Sequence, residues 1–346
     1  MRILIIGGSG LISTWITSQL IEQGQHDLTL YNRGQTDVRY AGQVKTIRGD
    51  RKDFPAFERQ MAEAGMFDCV IDMVCYEPEE AQSLIRAFKG RTEQLIFCST
   101  VDVYAKPATR YPYVESEQRK PLNALNTYSK NKAIIEEMLE EADHAKAFSI
   151  TTIRPAHTYG ESRGLIHSLG GSLTYLDRIR RGKPIIVHGD GQSMWVSCHA
   201  DDVARAFVAA IGNTKTYGKS YHTAGEEWMT WNRYHQCVAE ALDAPAPNLI
   251  HIPTDLLVKL SPERAGIVGE NFQFNNIFDN SAAHADLQFA YTIPFVKGVR
   301  RIIKWLDERN KIPNSDNDPL DDQIITVWEQ VGARTVQEFT NKTIVH

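Results

Sequence analysis

The segment Met1-Arg2-Ile3-Leu4-Ile5-Ile6-Gly7-Gly8-Ser9-Gly10-Leu11-Ile12-Ser13 drives an apolar run straight into a glycine-rich turn. After it, Leu11, Ile12, Trp15, Ile16 and Leu20 carry helical apolar spacing. Strand, turn and helix in that order are the opening of a dinucleotide-binding unit. The glycines let backbone N–H groups close on a pyrophosphate, whose charge then lies at the positive end of the helix. The spacing is Gly7-x-x-Gly10-x-x-Ser13, with serine where a third glycine usually permits close helix–strand packing.

The rest of the chain repeats the alternation. Strand-like runs at Ile3–Ile6, Asp27–Tyr31, Val44–Ile47, Cys69–Met73, Gln94–Cys98 and Ser149–Ile153 are separated by helical patterns at 11–24, 54–64, 78–89 and 126–142. Such alternation implies βαβ units and an α/β, doubly wound parallel sheet covered on both faces. The runs at 70–73 and 95–98 are near-continuously apolar, as doubly covered strands are. From about residue 160 glycines and prolines interrupt shorter elements, which reads as a smaller mixed substrate-binding domain at the carboxyl edge of the sheet. The expected division is residues 1–160 plus about 190–225 for the dinucleotide-binding domain, with about 161–189 and 226–346 forming the substrate-binding region.

Composition narrows the partners. The chain has 346 residues and a net charge of −5, which argues against electrostatic binding of nucleic acid or of anionic membranes. No apolar stretch approaches the roughly 18 residues that span a bilayer. The first residues read as a strand, not as a leader segment. Cys69, Cys75, Cys98, Cys198 and Cys237 are scattered without a C-x-x-C pair, which fits reduced thiols and a cytoplasmic location. No His, Cys and carboxylate cluster has metal-ligand spacing, so no metal is expected.

Two further motifs carry chemistry. In Tyr128-Ser129-Lys130-Asn131-Lys132 a phenol and an ammonium stand four apart on one helix face. A neighbouring positive charge favours the phenolate, and a phenol so tuned exchanges a proton with a hydroxyl while hydride leaves or joins its carbon. At the end of an apolar strand, Cys98-Ser99-Thr100-Val101-Asp102 brings hydroxyls to the carboxyl edge of the sheet, where Thr100 is placed to orient a substrate oxygen.

Glycine turn, strand-end Ser-Thr and Tyr-x-x-x-Lys, in this order, resemble an extended, atypical short-chain dehydrogenase/reductase of the NAD-dependent epimerase/dehydratase family, with a Rossmann sheet. The resemblance covers roughly residues 1–230 and includes Gly49-Asp50-Arg51, Ile153-Arg154-Pro155-Ala156-His157-Thr158-Tyr159-Gly160, Gly189-Asp190-Gly191 and His199-Ala200-Asp201-Asp202-Val203-Ala204. It implies Tyr128 as general acid/base, Lys132 as its tuner and ribose anchor, and Thr100 as hydroxyl partner. It places the cofactor against Gly7, Ser9, Gly10, Leu11, Ile12, Asn32, Arg33, Asp50, Arg51, Ser99, Pro155 and His157, with Tyr128 and Lys132. It places a small-molecule carbohydrate-type substrate against Thr100, Asp102, His157 and Trp195. It also implies a homodimer, formed through a bundle that includes the Tyr-x-x-x-Lys helix.

Departures from the family pattern sharpen this. The second strand ends Leu30-Tyr31-Asn32-Arg33, with no acidic residue for a ribose 2′-hydroxyl and an arginine suited to a 2′-phosphate. NADP is therefore favoured, with NAD the other candidate. Val101-Asp102 stands where sugar dehydratases carry Asp-Glu, which ranks water elimination low. Trp195 stands where many members carry an arginine for a substrate diphosphate, and its ring face suits stacking on a sugar or base. His157 is a candidate second acid/base, whereas His199 is expected to hold a loop. The leading expectation is an NAD(P)-dependent epimerase or oxidoreductase acting on a hydroxyl-bearing carbon of a sugar or sugar derivative. The alternative is an RNA-associated or NADP-sensing, non-catalytic member of the same superfamily.

Overall fold

The alternating apolar runs become the strands β1 (Arg2–Ile6), β2 (Asp27–Asn32), β3 (Lys45–Arg48), β4 (Phe67–Asp72), β5 (Thr92–Cys98) and β6 (Ser149–Pro155). With Lys219–Thr223 they form one seven-stranded sheet in the order Lys219–Thr223, β6, β5, β4, β1, β2, β3. Every neighbouring pair is parallel; Ile5 stands beside Leu30 of β2 on one side and Ile71 of β4 on the other. The computed structural model describes all residues except 35–39, 41, 120–126, 162 and 344–346. The helices between the strands are α1 (Leu11–Gln23), α2 (Phe54–Ala64), α3 (Pro78–Phe88) and α4 (Thr127–His144). The expected start of α4 at 126 lies outside the described residues.

Side-chain alternation decides which helix covers which face. Ile3, Ile5, Leu28, Leu30, Ile71 and Ile96 point to the face covered by Ile16 and Leu20 of α1 and by Val203 and Phe207 of the helix Ala200–Ala210. Leu4, Ile6, Val70, Leu95 and Phe97 point to the other, covered by Phe57 and Met61 of α2, Leu84 and Phe88 of α3, and Ile135 and Leu139 of α4. This is the doubly wound sheet expected, and it explains why its central strands carry no polar alternation.

The chain divides into two compact units. One comprises Met1–Gly160, Val196–Glu227 and Ile277–Pro294, the other Glu161–Trp195, Trp228–Asn276 and Phe295–His346. The return of 277–294 to the sheet-bearing unit was not expected. Its cause is visible: Phe278 stacks on Tyr113 at 5.2 Å, the Tyr221 hydroxyl donates to Asp286 at 2.8 Å, and buried Asp202 accepts the Thr292 and Ile293 N–H groups at 2.8 and 2.9 Å.

The second unit is built around rings. Ile185–His188 pairs in parallel with Leu249–Ile252, and helices run over Thr174–Arg180, Trp231–Ala241, Phe295–Asp307 and Leu320–Thr343. Buried Trp231 contacts Phe272 at 4.7 Å and His188 at 5.1 Å, while His167 stacks on Tyr175 at 4.8 Å. Hydrogen bonds fix two of the imidazoles: His188 Nδ1 with Ser168 Oγ at 2.9 Å, His235 Nδ1 with the Trp231 carbonyl at 2.7 Å.

Burial lowers the pKa of all three histidines, His188 and His235 to about 4. Each folded value lies below that of the unfolded chain, so the stability they confer is present above about pH 6.5 and is lost as pH falls towards 4. The linkage is on the order of 2–3 kcal/mol for each of His188 and His235. The urea midpoint is therefore expected to fall between pH 6.5 and 4.5, before most carboxylates titrate. A midpoint constant over that range would contradict the buried, neutral imidazoles.

Candidate active site

The glycine turn is demanded by its surroundings. Gly7 has φ +85°, and a Cβ there would overlap Val74 Cγ1; a Cβ on Gly8 would overlap Leu30. Gly7 N–H donates to the Tyr31 carbonyl at 2.9 Å, docking the turn on β2. Ser13, where a third glycine is usual, is buried and has a purpose of its own. Its Oγ donates to the Gly7 carbonyl at 2.7 Å and accepts from Gly10 N–H at 2.7 Å, so the side chain itself closes the turn. Gly10 caps α1 in extended conformation, and the first turn of that 13-residue helix holds no acidic residue. A glycine-rich turn facing the positive end of a helix fits a dinucleotide pyrophosphate. Of the residues expected there, Gly7, Ser9 and Gly10 lie in the turn, and Leu11 and Ile12 open α1.

The adenosine end differs in part from expectation. Tyr31, at the position of the missing acid, is buried edge-on to Phe57 at 5.2 Å, and burial together with Asp50 pushes its phenol up to about 12. Asn32 Oδ1 accepts Gly34 N–H at 2.9 Å, while Arg33 and Asp50 are exposed. Arg51, expected to meet the cofactor, is instead only 6% exposed. Its guanidinium pairs with Asp72 at 2.7 Å, donates to the Glu80 carbonyl at 3.0 Å and lies over Phe57 at 5.2 Å. A guanidinium out of water needs a carboxylate, and Asp72 at the end of β4 supplies it.

The residues expected to carry the chemistry lie where β5 meets α4. Thr100 starts a short helical turn; its Oγ1 accepts Asp102 N–H at 3.2 Å, and its proximity draws the Tyr128 phenol downward. Tyr128 leaves 41% of its surface exposed in the first turn of α4. One turn on, Lys132 is 1% exposed. Its Nζ donates to the Cys98 carbonyl at 2.7 Å and lies 4.6 Å from the Phe97 ring centre, 4.8 Å from that of Tyr76 and 5.9 Å from that of Tyr128.

The expected tuning is reversed in this arrangement. Desolvation of the half-exposed ring, with Cys98, Asp102 and Tyr76 nearby, pushes the phenol above its ordinary value, and Thr100 only partly opposes this. Burial likewise pulls the Lys132 ammonium down. Desolvation outweighs the ammonium here because Lys132 is turned onto a carbonyl, not onto the phenol oxygen.

Two residues of the site escaped the sequence reading. Tyr76, in the loop after β4, lies 6.2 Å from Tyr128 ring to ring and covers Lys132. Lys106 is buried and pairs with Asp102 at 2.8 Å, which holds that carboxylate beside Thr100. The i,i+4 spacing of Asp102 and Lys106 was the available signal; Tyr76 carried none.

Behind the site, Arg154 grips Glu136 through two bonds of 2.9 and 2.6 Å and donates to the Tyr104 hydroxyl at 2.6 Å. Burial alone would raise the Glu136 carboxyl; Arg154 holds it below its ordinary value. Ser99, expected at the cofactor, is buried at the end of β5. Buried Pro155 ends β6, and half-buried His157 bonds Ser197 Oγ through Nδ1 at 2.8 Å. His199 is buried and caps the helix Ala200–Ala210, accepting Asp201 N–H at 3.2 Å. Trp195, in the second unit, does not present the expected stacking face. It is 4% exposed, packed on Trp231 at 5.0 Å and Phe272 at 4.9 Å, because two neighbouring rings cover it. Among the described residues no group of His, Cys, Asp and Glu side chains converges to hold a metal ion, and no helix is long and apolar enough to cross a membrane.

Comparison with known proteins gives the geometry a family. Residues 3–224 match the model of the NAD dependent epimerase/dehydratase family. A chloroplast stem-loop binding protein of 41 kDa from Arabidopsis thaliana is 27% identical over 72% of this chain; the chain spans 65% of that relative's length. A UDP-glucose 4-epimerase of Neisseria meningitidis serogroup C is 25% identical over 61% of this chain and 73% of its own. Among solved structures, a UDP-glucose 4-epimerase from Thermotoga maritima with UDP-glucose superposes with a TM-score of 0.70 at 18% identity, over 90% of this chain and all of that one. The structure of Pal from Bacillus thuringiensis gives 0.71 at 19% identity, over 89% of this chain and all of that one. These two likenesses concern the fold. The sequence match runs from β1 through the glycine turn, the β5 edge and the Tyr-x-x-x-Lys helix, and the chain belongs to the NAD dependent epimerase/dehydratase family.

Proposed function

We propose that this protein is an NAD(P)-dependent epimerase or oxidoreductase acting on a hydroxyl-bearing carbon of a sugar or sugar derivative. The observation that carries the reading is Tyr128 beside Thr100 at the carboxyl edge of the sheet, with the buried Lys132 ammonium one helical turn away and 5.9 Å from the phenol's ring centre. The bound nicotinamide supplies the hydride acceptor and donor. The chain supplies the proton chemistry. With its pKa raised, Tyr128 stands protonated at neutral pH and is ready to give its proton to a carbonyl oxygen. In the reverse direction the same oxygen takes the hydroxyl proton, and the resulting phenolate is held by Thr100 Oγ1 and by Lys132, 5.9 Å from the ring centre. Asp102, fixed by Lys106, accepts a second hydroxyl of the substrate. Water elimination is not part of the proposal, because Val101 offers no acid.

The relatives named UDP-glucose 4-epimerase support a nucleotide-linked sugar, and the NAD in the family's own name supports NAD. The exposed Arg33, with no carboxylate at Tyr31 or Asn32, favours NADP. Five buried thiols suit a cytoplasmic, reducing compartment. A second reading, a stem-loop RNA-associated protein, rests on the Arabidopsis relative. Salt-dependent retention of stem-loop RNA by the purified protein, without turnover of any sugar, would favour it.

Tyr128→Phe is expected to lower turnover by about 10²- to 10⁴-fold while cofactor affinity by calorimetry stays near wild type. Unchanged turnover would contradict the assignment. Arg33→Glu is expected to weaken NADP binding by roughly tenfold or more and to leave NAD binding nearly unchanged. Equal loss for both cofactors, or for neither, would contradict a 2′-phosphate contact.

A further inference from the structure

A second arginine stands at the same corner of the sheet as Arg33. Arg48 closes β3, and the parallel register sets it opposite Asn32, the last residue of β2. The two strands therefore end level, on the carboxyl edge. Gly49 N–H donates to the Asn32 carbonyl at 3.1 Å and ties the two ends together. From there the Arg48 side chain lies against Gly34. Gly34 has φ +70°, and a Cβ there would stand 3.2 Å from Arg48 Cδ and 3.3 Å from its Nε. The Arg48 guanidinium therefore begins beside the residue that follows Arg33. Both arginines are exposed, and among the described residues neither is paired with a carboxylate.

The backbone of this corner is braced from α2. The Tyr31 hydroxyl donates to Gln60 Oε1 at 3.2 Å, and Gln60 Nε2 donates to the Arg48 carbonyl at 3.0 Å. The tyrosine at the position of the missing acid therefore holds the end of β3, through Gln60. The corner also adjoins the glycine turn, because the Tyr31 carbonyl accepts Gly7 N–H at 2.9 Å. Asp50, two residues after Arg48, turns its carboxylate to Lys52 N–H at 2.9 Å. Two neighbouring guanidinium groups repel each other. A phosphate monoester carries about −1.5 to −2 charge at neutral pH and three acceptor oxygens. It would relieve that repulsion and accept a planar fork from each arginine.

We propose that Arg48 is a second specificity-determining residue for the cofactor, sharing the 2′-phosphate of NADP with Arg33. The inference rests on the NADP reading above. It adds to that reading a residue of the third strand, whereas the reading itself was drawn from the end of the second. Gly34 has a part in it, since any side chain there would push the Arg48 stem away from Arg33.

Calorimetric binding of NADP, NAD, adenosine 2′,5′-bisphosphate and AMP to the full chain tests it. The wild-type chain is expected to prefer NADP over NAD and the bisphosphate over AMP. Arg48→Gln should weaken NADP and the bisphosphate by roughly tenfold or more and leave NAD and AMP unchanged. Arg48→Lys should recover part of the loss, since an ammonium keeps the charge without the fork. Circular dichroism should show both variants folded, since the side chain is exposed. Unchanged NADP affinity in Arg48→Gln, beside a large loss in Arg33→Glu, would overturn the Arg48 contact and leave the NADP reading standing. A wild-type chain that binds NAD at least as tightly as NADP would overturn that reading, and the inference with it. Equal loss of all four ligands in Arg48→Gln would mark a structural role and overturn the inference as well. So would a loss in Arg48→Gln with none in Arg33→Glu, because the phosphate would not be shared.

Discussion

One buried ammonium organises the site. Removing Lys132 from water costs several kcal/mol unless polar and aromatic groups replace the solvent. The Cys98 carbonyl and the rings of Phe97, Tyr76 and Tyr128 do so, and each comes from a different piece of the fold: the end of β5, the loop after β4 and the start of α4. The charge can be buried only if those three pieces meet. Their meeting is also what sets Tyr128 against Thr100 at the sheet edge.

Two further buried ion pairs keep those pieces in register. Glu136 and Arg154 join α4 to β6, and Arg51 and Asp72 join the segment after β3 to the end of β4. Each pair is costly to break, since one partner alone would be left as an uncompensated charge. The glycine turn depends on no charge. Its geometry is enforced by Val74, Leu30 and the two bonds of Ser13, so it is formed before any ligand arrives.

What was legible in the sequence follows from the range of the interactions concerned. The alternation of strands and helices along the chain, the two covered faces and the turn-to-helix start rest on periodicity and local glycine geometry, which a single sequence displays. Tyr-x-x-x-Lys was legible because both residues share one helix. Serine at position 13 reads in the sequence only as a departure from a third glycine; its bonds to Gly7 and Gly10 make it part of the turn. Tyr76 was not legible, because its role comes from a loop brought to α4 by the sheet. Arg51 was assigned outward because sequence position gives no sign of Asp72 waiting in the core. Trp195 was read as a stacking surface, and only the packed unit reveals Trp231 and Phe272 on it. The phenol's raised pKa was missed for the same reason: spacing shows the neighbouring charge and hides the desolvation.

The central claim is that the Lys132 ammonium and the Tyr128 phenol form one reaction centre. Stopped-flow absorbance of reduced nicotinamide, on mixing NAD-loaded protein with nucleotide-linked and free sugars, tests it most directly. The account predicts that the wild-type chain forms reduced nicotinamide with at least one of them, and that Lys132→Met does so about 100-fold more slowly or worse. Equal rates in the two proteins would contradict it.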